Sequence, residues 1–502
     1  MPGLTALLFL LPWFIYGSAV FQRYGLRDDY AILREAREEP GKILRVCAAM
    51  GRPLYGWLLE ASVREAGNID GLALLRALSV TGLGLLGAAL FLLLRREGWR
   101  AAPSTLLAAF LTLMPSAQVI ASWGICWPQT VALLLTVGAF ALARRGFEAP
   151  PEATWRRWAG CLGGVVAMGT ATLIYQVSGL FYAVLLAAAL VLRRDTDLRV
   201  PARWLARHLL VMGCGLGVAF IVTKLSFALG LFAPSPRIAF EQHFLDKAGW
   251  FLTQVLPNAL ALSALNTTGS VPTAGYWPMV GLTLTVLTLG LFVEGRRAGR
   301  IGVGTWLVGL GVLSAAAYSV SFLASERWPT YRTLYALTGV WSVYFVASLM
   351  NLGSRWPTTH GPRVATALLG GFVAVSALLA HRHSLELFAL PQGRELALLE
   401  QGARQVVPTR QARVFVLTAR QSDSSAPLRY LDEFGSVSVD TEWVAKEMFR
   451  ALVEERFPEE RDVSHLYRFA AGPVLPEPRA YDILVDMRAQ PREPPRPIHL
   501  AR

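Results

Sequence analysis

The sequence predicts an α-helical polytopic membrane protein of about eleven transmembrane helices that ends in a small extracytoplasmic α/β domain. Three observations carry that expectation. The chain has 502 residues, 54% hydrophobic and 17% charged, with a mean hydropathy of +0.41. Soluble domains carry about 25% charged residues, so neither a soluble globular chain nor a disordered one fits. Apolar stretches approaching the ~20 residues that a helix needs to cross a bilayer recur along residues 3–381. The net charge is +13, yet residues 382–502 hold 17 basic and 18 acidic side chains, so the whole excess lies among the apolar stretches. Charges so placed orient a membrane protein and argue against nucleic acid as the partner.

The spans are expected near 3–22, 71–94, 103–117, 127–143, 159–175, 177–192, 208–232, 276–293, 301–324, 331–349 and 364–381. The first lacks the basic n-region and A-x-A site of a signal peptide and reads as an anchor. Basic residues cluster in alternate loops: Arg95, Arg96 and Arg100; Arg144, Arg145, Arg156 and Arg157; Arg193, Arg194, Arg199, Arg203 and Arg207; Arg296, Arg297 and Arg300; Arg355 and Arg363. The positive-inside rule puts all five groups in the cytoplasm. The run 159–192 lies between two of them, so it crosses twice, and Tyr175–Gln176 marks its outer turn. Irregular backbone at that depth is tolerated only against protein or a water-filled cavity. Three long segments, 23–70, 233–275 and 382–502, then fall outside, and chemistry is expected on that face.

In the first of these, residues 30–39 and 42–50 are amphipathic helical pieces split by Pro40–Gly41, expected to lie at the interface with their apolar faces down. Residues 238–265 read as a second interfacial helical stretch interrupted at Pro257, followed by a loop at Asn266–Pro272. Residues 413–418 and 481–487 read as buried strands, and 441–456 as a helix capped by Asp440 or Thr441. The chain therefore divides into a membrane part at 1–381, an α/β domain at 390–488 and a Pro-rich tail at 489–502 expected to be disordered. The four cysteines show no CxxC or His-Cys spacing and read as small buried hydrophobes. No metal site is expected from His243, His381 and His383, and no phosphate-binding glycine motif points to a nucleotide-driven enzyme.

A few polar residues stand out. Asp28 and Asp29 follow the first span; one caps the next helix, and the other is left for a use such as general base toward a hydroxyl nucleophile. Gly51-Arg52-Pro53-Leu54 is either a simple turn between helices or a place where Arg52 holds an acidic or phosphate group. Lys224 lies within the seventh span, either snorkelling to the surface or facing a cavity and an anion. Arg327 and Arg332 sit in an outer loop otherwise poor in cations, either as interfacial anchors beside Trp328 or as phosphate ligands.

The order Asp28-Asp29-Tyr30, amphipathic helix, Gly51-Arg52-Pro53-Leu54 resembles the GT-C superfamily of polytopic glycosyltransferases, and within it the Gtr-type glucosyltransferases that decorate bacterial O-antigen. In that family an outer-loop DD precedes GRPL, and a YQ pair recurs between two short spans, as Tyr175–Gln176 does here. The resemblance covers the order of elements over most of 1–350; the C-terminal domain lies outside it. It implies a GT-C-like fold in the bacterial inner membrane, with the active site outside. It implies a polyprenyl-phosphate-linked sugar as donor and an extracytoplasmic glycan as acceptor, with transfer by inversion. Asp28 or Asp29 would be the base, and Arg52 would position the loop or the sugar. Arg332, Arg327 and Lys224 would be candidates to stabilise the departing phosphate, with Tyr175 and Gln176 also lining the substrate site. No cofactor is expected; metal-free transfer is the default, with a divalent ion held by the aspartates as the variant. Two readings compete: a transporter or flippase of lipid-linked saccharide, although the internal repeats common in transporters are not evident, and a non-catalytic membrane scaffold.

Overall fold

The structure is a computed structural model that describes residues 1–262, 275–355, 360–419, 433–460, 462–489 and 497–498. Its membrane part is built from α1 (Pro2–Val20), α2 (Asp28–Glu38), α3 (Lys42–Ala49), α4 (Pro53–Ala66), α5 (Leu72–Arg96), α6 (Ala101–Leu113), α7 (Pro115–Ser122), α8 (Pro128–Glu148), α9 (Thr154–Ile174), α10 (Gln176–Gly179), α11 (Tyr182–Leu190), α12 (Arg199–Ala228), α13 (Phe244–Trp250), α14 (Leu256–Leu260), α15 (Tyr276–Leu323), α16 (Tyr331–Arg355) and α17 (Gly361–His383). The C-terminal part adds α18 (Leu390–Ala403), β1 (Ala412–Leu417), α19 (Glu442–Arg456), β2 (Tyr467–Gly472) and β3 (Ile483–Asp486).

Among the described residues, eight helices are long and apolar enough to cross a membrane. Three further features bear on the number of crossings. The pair α6–α7 is bent by 53°, because Pro115 cannot continue the helix and forces Met114 into extended backbone. The 48 residues of α15 would reach about 72 Å as one rod; Gly299, at φ 63° and ψ −153°, instead turns the chain back on itself. Gln176–Leu190 is short but apolar, and it packs in the centre, so α11 is buried along its whole length.

Burial ranks the spans. The window that marks α16 is 78% buried, while those of α12 and α17 are 22% buried. Thus α16 runs through the middle of the bundle, and its first turn, Tyr331–Arg332, emerges at the centre of one end. Helices α8 and α9 meet through glycines. A Cβ at Gly160 would lie 2.6 Å from the Gly146 Cα, closer than real contacts allow, the close approach that small residues permit between membrane helices. At the opposite end the basic loops are tied by acids: Arg144 to Glu97 at 3.1 Å and Arg194 to Glu294 at 3.5 Å.

The C-terminal sheet is parallel, in the order β2-β1-β3. Phe449 of α19 packs on Tyr467 and Phe469, with ring centroids 5.1 and 5.8 Å apart, and Gly402 of α18 faces Val485. Strand β2 was not expected, since YRFAAG is neither clearly alternating nor continuously apolar. The domain is not hung on a linker. Helix α17 continues through a π-turn at Ser384–Ala389 into α18, so the last span and the domain share one rod.

Several local expectations need correction. Helix α2 does not turn its apolar face to lipid. The apolar face of α2, with Tyr30, Ile32, Leu33 and Ala36, belongs to the same core as the C-terminal domain, and its charged face pairs with α19 through Arg34–Glu447 and Arg37–Glu454. Pro257 opens α14 and does not interrupt the stretch; the irregularity is the π-turn Phe251–Val255 before it. Of the four cysteines, Cys47 and Cys126 are buried, but Cys214 is exposed on α12. The expected loop Asn266–Pro272 lies outside the described residues, as does most of the tail; Pro497 pairs antiparallel with Gln22, and the Ile498 N–H donates to the Phe21 carbonyl.

Candidate functional site

The site gathers where the segment after α1, the turn after α7, the α9–α10 junction and the start of α16 meet. Asp28 and Asp29 open α2, and they face different surroundings. Asp29 is fully buried. Its Oδ2 accepts the Leu26 N–H at 2.9 Å and its Oδ1 accepts the Ile125 N–H at 3.1 Å. Gly124 admits it: a Cβ there would stand 3.1 Å from Oδ1. Burial raises the Asp29 pKa to about 7, against the opposing pull of the Leu26 N–H, Arg76 and the Ile125 N–H. Asp28, one residue earlier, is exposed. Tyr30 completes the motif, its hydroxyl accepting the Gly25 N–H at 2.9 Å and donating to the Gly25 carbonyl at 3.2 Å.

The residue before the pair is strained. Arg27 has φ 45° and ψ −101°, a region that side chains avoid at about 1–3 kcal/mol and that persists only when its surroundings hold it. The C-terminal domain supplies the hold. The Arg27 N–H donates to Ser438 Oγ at 3.3 Å, and Nη2 donates to the Val437 carbonyl at 3.2 Å and to Asp440 Oδ1 at 3.3 Å.

Two motifs far apart in the chain meet directly. Arg52 Nε donates to Gln176 Oε1 at 2.8 Å, and the guanidinium lies 4.6 Å from the centre of the Tyr175 ring. Gln176 Nε2 donates to the Gly51 carbonyl at 2.9 Å. Gly51 itself takes φ +74°, and a Cβ there would crowd Gln176 Nε2 and Thr223 Cγ2 at 3.2 and 3.3 Å. Tyr175 breaks the helix in extended backbone between α9 and α10. Its ring meets Tyr55 at 6.0 Å, and the Tyr55 hydroxyl donates to the Ile125 carbonyl.

The turn Trp123-Gly124-Ile125-Cys126 is therefore the keystone, because Arg332 reaches it from the other side. The Arg332 guanidinium lies 4.5 Å from the centre of the Trp123 ring, and Nη1 donates to Cys126 Sγ at 3.5 Å. Asp29 and Arg332 thus hold adjacent residues of one turn, whose Cα atoms are about 3.8 Å apart. Arg332 Nε also donates to Glu433 Oε1 at 2.8 Å. Cys47 is buried nearby, and burial pushes its thiol up to about 11, with Arg52 opposing the rise and Asp28 adding to it.

Lys224 and Arg327 are placed differently. Lys224 is exposed on α12, with its ammonium 5.6 Å from the Phe220 ring centre; the neighbouring Thr223 touches Gly51. Arg327 belongs to a second cluster, 3.7 Å from Glu241, which also lies 3.9 Å from the buried Lys247. Lys247 donates to the Ala324 and Glu326 carbonyls, both at 2.8 Å, so this cluster fastens α13 to the end of α15. Among the described residues, no group of three His, Cys, Asp or Glu side chains has metal-ligand spacing.

Sequence reasoning missed the Trp123–Cys126 turn and Glu433. The turn had a signal, aromatics and glycine packed into WGICWP between two spans. Glu433 had none; its partner is 101 residues away.

No family model matches the sequence, and no curated protein matches it significantly. Solved structures resemble it distantly. ArnT from Cupriavidus metallidurans in the apo state is 16% identical at a TM-score of 0.43, over 84% of this chain and 83% of that one. The same protein bound to undecaprenyl phosphate is 14% identical at 0.43, over 93% and 86%. The apo oligosaccharyltransferase of Archaeoglobus fulgidus is 12% identical at 0.47, over 94% of this chain and 64% of that one.

Proposed function

We propose that this chain is an integral membrane glycosyltransferase that moves a sugar from a polyprenyl-phosphate donor to an extracytoplasmic glycan acceptor, with inversion. The observation that carries the reading is the convergence of motifs that the sequence holds far apart. Asp29 and Arg332 hold one turn directly, the Arg52–Tyr175–Gln176 junction reaches that turn through Tyr55, and Asp28 stands next to Asp29 at the same end of the bundle. The positive-inside rule assigns that end to the outside.

Asp28 is the base in this reading. Asp29 has both oxygens engaged by backbone N–H groups and is sealed from solvent, so its part is to hold the turn. The acceptor hydroxyl gives its proton to the Asp28 carboxylate as its oxygen bonds to the anomeric carbon from the face opposite the phosphate. The anomeric C–O bond breaks, and its electron pair leaves on the polyprenyl phosphate. Arg332 and Arg52 meet that negative charge in a partly buried setting, where such stabilisation is strongest. Lys224, exposed on the outer part of α12, serves the donor's approach.

Purified protein in liposomes, supplied with undecaprenyl-phosphate-linked hexose and envelope glycan, tests this. Wild type is expected to transfer sugar, and Asp28→Asn to lose about a hundredfold or more of that rate, the scale of general-base catalysis, with its unfolding temperature unchanged. Wild-type rates in Asp28→Asn would remove the base from this role.

A further inference from the structure

Arg332 already has an anion beside it. Glu433 is fully buried. One carboxylate oxygen takes the Arg332 Nε–H at 2.8 Å, and the other takes the Tyr331 N–H at 3.0 Å, at the very start of α16. Glu433 is held there by packing as well as charge. Phe434 stacks edge-on with Tyr331 at 4.8 Å and with Phe388 at 4.9 Å, and the Gly435 N–H donates to the Leu387 carbonyl at 3.0 Å. Five residues further on, Ser438 carries the backbone that Glu395 grips through its N–H, at 3.1 Å, and Val437 to Asp440 hold Arg27. One strap of the C-terminal domain therefore reaches both the outer cation and the residue before Asp28.

Resting on the donor site proposed above, we infer that Glu433 is the resident counter-ion of Arg332: it positions the guanidinium against the Trp123–Cys126 turn and tempers its attraction for the phosphate of the lipid carrier. The physical reason is electrostatic. A carboxylate in contact with a guanidinium cancels most of its field, and the pair is nearly neutral to an arriving anion. Removing the carboxylate alone leaves a buried cation without its partner, and an incoming phosphate satisfies it. The spent carrier, a phosphate monoester with more charge than the donor's diester, would be held hardest. Glu433 thus favours release of the spent carrier and fixes the orientation of Arg332 during transfer.

The probe is undecaprenyl phosphate itself, titrated against the full-length protein in detergent micelles. Glu433→Gln keeps the shape and one acceptor oxygen for Arg332. It is expected to bind the lipid about tenfold or more tightly than wild type, to gain more thermal stability from it, and to turn over more slowly with a lower KM. Glu433→Asp, which keeps the charge, is expected to stay within about threefold of wild type, and Glu433→Ala, which also removes the charge, takes the place of Glu433→Gln if that variant does not fold. Unchanged or weaker binding in Glu433→Gln, or equal tightening in Glu433→Asp, overturns the inference, since a merely structural role loosens the site. Failure of the donor reading looks different: wild type would then bind no undecaprenyl phosphate, whatever stands at position 433.

Discussion

At the scale of single residues, two neighbouring aspartates are separated by their surroundings. The helix direction turns Asp29 inward, onto two backbone N–H groups, and leaves Asp28 at the surface. Asp29 then titrates in an unusual window. Burial lifts its pKa from 3.8 to about 7, so the native state keeps the proton longer than the unfolded chain does. Stability contributed through this group is therefore full below about pH 4 and falls as pH rises to about 7. The difference in unfolding midpoint, wild type minus Asp29→Asn, is expected to shrink over that window and level off above it; a difference that grows with pH would contradict the burial. The DD motif was legible in the sequence, but the assignment was not, because adjacent residues on a helix point about 100° apart and the burying partner, Ile125, comes from another segment.

At the scale of elements, the junction between the segment after α1 and the α9–α10 break holds Arg52 in place. Arg52 stacks on Tyr175 and bonds Gln176 at once, so its planar fork and its hydrogen bond belong to one arrangement. Lysine can donate a hydrogen bond but has no planar fork to stack on Tyr175 while doing so. Arg52→Lys is expected to lower transfer at least tenfold, nearly as much as Arg52→Ala, and the double variant Arg52→Lys with Gln176→Ala to lose little more than Arg52→Lys alone. Additive losses in that cycle, read as initial transfer rates, would show that the two side chains act separately. The break at Tyr175 was legible because two basic groups bracket an apolar run too long for one crossing and barely long enough for two. The bend at Pro115 was passed over, although Met-Pro within an apolar run is the signature of such a bend.

At the scale of the whole molecule, the C-terminal domain is built into the end of the bundle that carries the candidate site. Arg23, at the end of the first span, meets Asp70, Glu400 and Glu455, and Arg450 meets Glu38. These pairs are partly buried and form a network, so they contribute more than isolated surface pairs. Arg23→Gln leaves three carboxylates facing one another and is expected to lower the unfolding midpoint by several degrees, an effect that high salt reduces. An unchanged midpoint would mean that the domain is held by its apolar contacts alone. The domain's existence and two of its strands were legible from the sequence; its embrace of the first loop was not, since ion pairs more than 370 residues apart leave no local pattern. The central claim is that Asp28, Arg52, Gln176 and Arg332 serve one donor site, and a cryo-EM map of the protein in nanodiscs with undecaprenyl phosphate tests it most directly. The expected result is phosphate density within hydrogen-bonding reach of Arg332 or Arg52, on the side where Asp28 is exposed. Phosphate seated at the Arg327–Glu241 cluster, or at the basic end of the bundle, would contradict it.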